Sequence, residues 1–196
     1  DVSSRACVAI GSGALNTMNN TNTDAYNTGI GFNTGGAITS GIKNTLMGGS
    51  TGDALTDADY NVAIGYNTLS TDTLGSLNVA IGSGALYTQN FTTATNSYNT
   101  GVGYDAGNKI TTGLYNVLIG GLAGDALTDA DENVAVGTSA LGADTLGSKS
   151  TAIGASALNA QNFTTATNTY NTAVGYYAGV AVTTGTENIL IGGLAG

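Results

Sequence analysis

The chain has 196 residues, with 31 Gly and no Pro, Trp or His, and only 9% of its residues are charged. Four basic against thirteen acidic residues leave a net charge of −9, which excludes a nucleic-acid backbone as partner because phosphate binding needs clustered Lys and Arg. The single Cys7 excludes an intrachain disulfide, no run of 18 apolar residues is present to span a membrane, and neither end carries a signal-peptide pattern. Gly at this frequency without collagen spacing would point to disorder, but 41% of the residues are apolar and they recur periodically.

The first predicted element is a short strand over Cys7, Val8, Ala9 and Ile10, closed by Gly11 and followed by a polar loop over residues 16–23. The same signature, seen clearly at Asn61-Val62-Ala63-Ile64-Gly65, occurs eleven times in all, so one strand is copied along an axis. Coils of 17 residues start at Tyr26, Lys43 and Tyr60, and one of 21 starts at Leu77. Three more of 17 follow from Tyr98, Tyr115 and Glu132, then one of 21 from Lys149 and one of 17 from Tyr170; the last, from Glu187, is cut short. Four coils make a supercycle of 72 residues, marked by Tyr26, Tyr98 and Tyr170. Residues 89–96 (QNFTTATN) return unchanged at 161–168, and residues 52–59 (GDALTDAD) at 124–131.

The fifth position is Gly in every copy, where a Cβ would obstruct a turn. β-branched or apolar residues two apart share one face of a strand. That pairing predicts Val62 and Ile64, with Ile119 and Ile153, on the inward face and Ala63 on the outward one. The outward row, from Ala9 and Gly29 to Leu118, Ala135 and Leu190, is then only Ala, Gly or Leu, an apolar stripe that a second copy would cover. A 17-residue coil spread at about 3.3 Å per residue closes a loop of roughly 56 Å, enough for two or three short strands. A second strand is expected late in each coil, around residues 69–74 and 109–112. The predicted fold is all-β: a parallel β-solenoid (β-roll or β-helix) of about eleven coils of 17–21 residues, stacked about 4.8 Å apart, with no helix. Asn stands before the triplet in nine of the eleven coils, from Asn27 and Asn44 to Asn171 and Asn188, with Cys7 and Ser150 in the other two places. Stacked amides of this kind hydrogen-bond from rung to rung.

No catalytic constellation is present: there is no His, Cys7 has no base beside it, and no Gly-rich run carries the Lys of a phosphate loop. The chain is therefore expected not to be an enzyme and to need no cofactor. The polar cluster with metal-ligand chemistry is Asp53, Asp57 and Asp59, copied as Asp125, Asp129 and Asp131. Hard cations such as Ca²⁺ take several oxygen ligands from such loops, and Asp72 and Asp144 on the next rung would complete the set. The competing reading is a solvated acidic loop that keeps a long rod soluble. Tyr26, Tyr60, Tyr98, Tyr115 and Tyr170 open coils, and Phe91 and Phe163 sit in the long ones. Rows of this kind cover a seam between coils or subunits, or stack on sugars; the seam is the expectation.

Runs such as residues 170–179 (YNTAVGYYAG) and 133–141 (NVAVGTSAL) resemble the β-solenoid repeats of bacteriophage tail fibres, of the kind found upstream of endosialidase-type intramolecular chaperones. The pattern is also similar to the head repeats of trimeric autotransporter adhesins, whose coils are shorter. The resemblance covers residues 6–196 as one repeat domain, with residues 1–5 a preceding coil or linker and the whole a segment of a longer fibre. It implies a parallel homotrimer located in the virion, a structural shaft that supports host attachment through a receptor-binding part outside the segment. The alternative it implies is an extracellular cell-surface adhesin that binds host glycan or matrix. Ice binding is a third class, but the Thr-rich loop around residues 92–95 appears once in four rungs rather than on each.

Overall fold

Each coil holds a strand of only three residues because left-handed corners bracket it. The residue opening the coil has positive φ (52° at Tyr26, 59° at Lys43, 58° at Tyr60), and the Gly closing the triplet lies between 122° and 143° in every copy. The fold is seen in a computed structural model that describes residues 6–19 and 24–196; the expected leading segment 1–5 and residues 20–23 of the first loop lie outside the described residues. The strands run Val8–Ile10, Thr28–Ile30, Thr45–Met47, Val62–Ile64, Val79–Ile81, Thr100–Val102, Val117–Ile119, Val134–Val136, Thr151–Ile153, Thr172–Val174 and Ile189–Ile191. They form one parallel sheet of eleven strands in chain order, paired first residue to first residue, as in Val62↔Val79 and Ile64↔Ile81. The molecule is a parallel β-solenoid of about eleven turns. No helix occurs among the described residues, and none is long and apolar enough to cross a membrane.

The expected second strand in every coil is not found. Residues 69–74 and 109–112 are turns and bends, joined to neighbouring coils by single hydrogen bonds such as Leu69 N–H to Ala85 O at 3.0 Å. Second strands form only where a 21-residue coil brings extra chain: Gly75–Ser76 pairs with Thr95–Asn96, and Gly147–Ser148 with Thr167–Asn168. In the 17-residue coils the corners leave too few consecutive extended residues for a ladder.

The inward face is the reverse of the expected one. The central residue of the triplet is buried in all strands from Thr28–Ile30 to Thr172–Val174, while its β-branched or apolar neighbours are partly exposed. Leu118 is fully buried and Ile119 is 39% exposed; Ile153 is likewise exposed and Ile64 half-buried. The reason is the width of the coil. One inward residue per strand shares the interior with a second one from the corner six residues on, and in most rungs their sizes are complementary. Gly29 with Gly35 and Gly101 with Gly107 leave room that Leu15 and Leu46, and Leu86 and Leu118, of the adjacent rungs fill. Leu46 and Leu118 face Gly52 and Gly124, where a Cβ would stand 3.2 Å and 2.7 Å from the Leu side chain. Ala63, Ala80, Ala135 and Ala152 instead go with the buried Leu69, Leu86, Leu141 and Leu158. Those Leu residues hold positive φ (49–55°), a conformation costing about 1–2 kcal/mol, comparable to the roughly 1.5–3 kcal/mol gained by burying the side chain.

Nine residues after the central one comes a third inward rank. It reads Met18, Ile38, Leu55, Asp72, Gln89, Ile110, Leu127, Asp144, Gln161, so every supercycle places a buried Asp–Gln pair in the apolar core. Asp72 accepts from Gln89 Nε2 at 2.6 Å, from Gly75 N–H at 3.0 Å and from Phe91 N–H at 3.1 Å; Asp144 repeats the pattern with Gln161, Gly147 and Phe163. The pair thereby anchors the extra loop of the long coil, whose Phe91 and Phe163 are buried over it.

Candidate functional site

The corner Asn residues are buried and act as predicted. Each Oδ1 accepts from the backbone N–H of the next rung (Asn44 to Asn27 at 2.8 Å, Asn116 to Asn99 at 2.9 Å). Most Nδ2 groups donate to a carbonyl late in their own coil, as Asn44 to Ala58 O at 2.7 Å and Asn116 to Ala130 O at 2.8 Å, while those of Asn78 and Asn188 donate to Oδ1 of Asn61 and Asn171 on the preceding rung. Where Ser150 interrupts the row, its N–H still donates to Asn133 Oδ1 at 2.9 Å, and its hydroxyl pairs with Thr169 and receives Gln161 Nε2. Among the described residues no buried side-chain N or O lacks a partner. The amides are thus fully used inside the coil and present nothing to a ligand.

The outer face of the long sheet is the largest candidate surface. On successive rungs it presents Val62 and Ile64, Val79 and Ile81, Thr100 and Val102, Val117 and Ile119, Val134 and Val136, all partly exposed. The apolar stripe expected outside does exist, but it is built of β-branched residues rather than Ala, Gly and Leu. Two such residues per rung at a rung spacing of about 4.8 Å make a flat, charge-free face.

The acidic loops do not converge on a point. Asp57 accepts from Ser40 Oγ at 2.5 Å and Asp59 from Ile42 N–H at 2.8 Å, both on the preceding coil. Asp53 reaches the other way, to Ser70 Oγ at 2.5 Å, while its second oxygen takes Asn33 Nδ2 at 3.3 Å. In the copy, Asp129 accepts from Thr112 Oγ1 at 2.6 Å and Asp131 from Leu114 N–H at 2.8 Å. Burial pushes the Asp125 carboxyl above its ordinary value, ahead of the opposing pull of a backbone N–H and Lys109. Asp72 and Asp144, expected to complete a cation site, are instead sealed in the core by Gln89 and Gln161. Among the described residues no group of three acidic, His or Cys side chains is placed to hold a metal ion.

The coil-opening aromatics make a seam between coils. Tyr98 and Tyr115 stack with centroids 5.5 Å apart and planes 12° from parallel, and Lys43 lies over Tyr60, 4.8 Å from its centroid. Lys43 Nζ also donates to the Tyr60 hydroxyl at 2.9 Å, and that bond raises the Lys43 pKa. A second aromatic row escaped the sequence reading: Phe32, Tyr66, Tyr104 and Tyr176, each directly after the closing Gly and each more than half exposed. The signal was available, since these residues hold one fixed position of the coil.

No family model, curated protein or solved structure matches the chain.

Proposed function

We propose that the chain is the structural shaft of a virion fibre, a non-catalytic rod that self-associates in parallel and holds a host-attachment part away from the particle. The observation that carries this reading is the outer sheet face, a run of partly exposed Val, Ile and Thr, with Met47, on consecutive rungs. Such a face gains free energy when another copy removes it from water, at about 25 cal/mol per Å². A rotation axis along the rod lets identical copies cover one another in register, and the resemblance to tail-fibre repeats supplies the number three. Bundled rods resist bending more than one narrow coil does, which suits a shaft.

The deciding measurement is solution mass by light scattering. The expected value is about three times the 19.3 kDa of one chain. Ile119→Lys combined with Val136→Lys should reduce it to one chain, whereas Thr138→Lys, exposed just beyond the closing Gly137, should leave the assembly intact. A wild-type monomer at micromolar concentration would overturn the reading. A cell-surface adhesin is the second reading, favoured by the exposed aromatic row. The complete reading frame separates them: a chaperone segment belongs with a fibre, a membrane anchor with an adhesin.

A further inference from the structure

The second aromatic row leaves a gap. Phe32, Tyr66 and Tyr104 sit on alternate coils, and the residues between them are Gly49 and Ser83. Tyr66 rests over Gly49, where a Cβ would stand 3.4 Å from its ring. Between Tyr66 and Tyr104 lies an open cleft of about 190 Å³, with Ser83 and Gly84 between its walls and Tyr87 beside them. Tyr66 and Tyr104 are 63% and 62% exposed, so both rings are accessible. Two rungs separate them, about 9.6 Å along the axis, more than the roughly 7–8 Å that one flat ring at contact distance on both sides requires. The spacing suits a thicker, puckered ring.

The rest of the lining is polar and carries no basic group: Asn67, Asp105 and Asn108. Asp105 is held in place by Asn108 Nδ2, 3.0 Å from Oδ1, and the same amide donates to Gly84 O at 3.1 Å. The arrangement depends on Gly84, which lies at φ 70° and where any Cβ would collide with the Asp105 carboxylate. The neighbouring Asp105 carboxylate raises the Tyr104 pKa above its ordinary value. Two rings for C–H faces, with a carboxylate, two amides and a hydroxyl for hydroxyl groups, match a neutral sugar. Asp105 and a net charge of −9 repel carboxylated or phosphorylated sugars. A quaternary ammonium would find rings here, but it has no use for the amides.

One supercycle on, the fold is the same and the chemistry is gone. Thr138 stands for Tyr66, Ser156 for Gly84, Asn159 for Tyr87 and Tyr177 for Asp105, while Leu86, Asp72 and Gln89 keep their types as Leu158, Asp144 and Gln161. The coil therefore does not demand the cleft residues. We propose that this cleft binds one neutral pyranose unit of a glycan, held between Tyr66 and Tyr104 with its hydroxyls on Asp105 and the flanking amides. The proposal is independent of the shaft role, because the cleft lies after the closing Gly and off the outer sheet face.

The test follows tyrosine ring protons of the full chain by NMR. The titrants are methyl glycosides of glucose, galactose, mannose, N-acetylglucosamine and N-acetylgalactosamine, with choline and N-acetylneuraminic acid run separately. A neutral glycoside should saturate Tyr66 and Tyr104 shifts with a dissociation constant on the order of 1 mM. Tyr66→Ala and Tyr104→Ala should each weaken it by roughly tenfold, and Ser83→Phe, which fills the cleft, should do the same. Tyr176→Ala should leave binding unchanged. The proposal fails if no neutral glycoside saturates below about 100 mM, if choline or the acidic sugar binds more tightly, or if Tyr176→Ala weakens binding equally. Light scattering on each variant reads assembly separately, so loss of the sugar site and loss of the shaft are distinguishable.

Discussion

Leu118 and Ile119 are neighbours of similar size with opposite environments, one fully buried and one 39% exposed. Leu118→Asp places a carboxylate in a dry interior without a donor, and the expected cost exceeds about 4 kcal/mol. Circular dichroism should show loss of the folded spectrum. Ile119→Asp puts the same charge on the outer face, so the spectrum should survive while the solution mass falls. The opposite order would reverse the inward face assigned to the strand. Asp125 offers a second test at this scale, through pH. Burial raises its pKa above the ordinary 3.8, so the folded chain holds the proton more tightly than the unfolded chain. The charged side chain therefore weakens the fold above its folded pKa, and the penalty fades as pH falls through that value and is gone below the unfolded one. Asp125→Asn should raise the melting temperature at pH 7 by a small amount, and the gain should vanish toward pH 3. A gain independent of pH would rule burial out as its cause.

At the scale of one rung, the strand is too short to hold itself. Three residues of ladder are supplemented by the Asn that precedes them, which bonds one rung forward and across its own coil. Asn116→Ala would orphan the Asn133 N–H and the Ala130 carbonyl, both buried. At about 1–3 kcal/mol for each unsatisfied group, the expected loss is roughly 2–4 kcal/mol in denaturant melts. A loss below about 0.5 kcal/mol would mean the amide row is incidental. The Asp–Gln pairs obey the same logic on the opposite wall. Burial of the Asp72 side chain is tolerated because Gln89 and two backbone N–H groups replace the lost water.

For the molecule as a whole, each coil touches only the coils before and after it, so stability is a sum of nearest-neighbour terms. The central strand Thr100–Val102 has five strands on either side in the sheet, whereas Ile189–Ile191 and Val8–Ile10 each pair with one. Native-state hydrogen exchange should therefore be slowest at Thr100–Val102 and should quicken toward both terminal strands. Uniform protection along the rod would show one all-or-none unit instead. The same one-dimensional build gives the proposed shaft its use. Length grows by adding coils, and surface residues such as those of the Tyr66–Tyr104 cleft differ one supercycle on while the coil stays the same.

Chain periodicity alone determined the solenoid: an invariant Gly every coil, Asn before the triplet in most coils and a 72-residue supercycle leave one way to stack, and the eleven parallel strands follow. The Asn row was legible for the same reason, since identical amides one coil apart can bond only to each other's rungs. The inward face was decided by tertiary structure. Val62, Ala63 and Ile64 are all apolar or small, so hydrophobicity with a period of two does not say which side is dry. Size decides it, because the strand faces another corner of its own coil, and Ala against Leu or Leu against Gly fits where Ile would not. A partial signal did exist: Asn61 shares a face with Ala63, so an amide buried in the coil already commits Ala63 inward. The Asp–Gln pairs and the Tyr66–Tyr104 cleft had no such signal, since each joins residues at least 17 positions apart. Stacking of consecutive coils, rather than any local preference, brings them together.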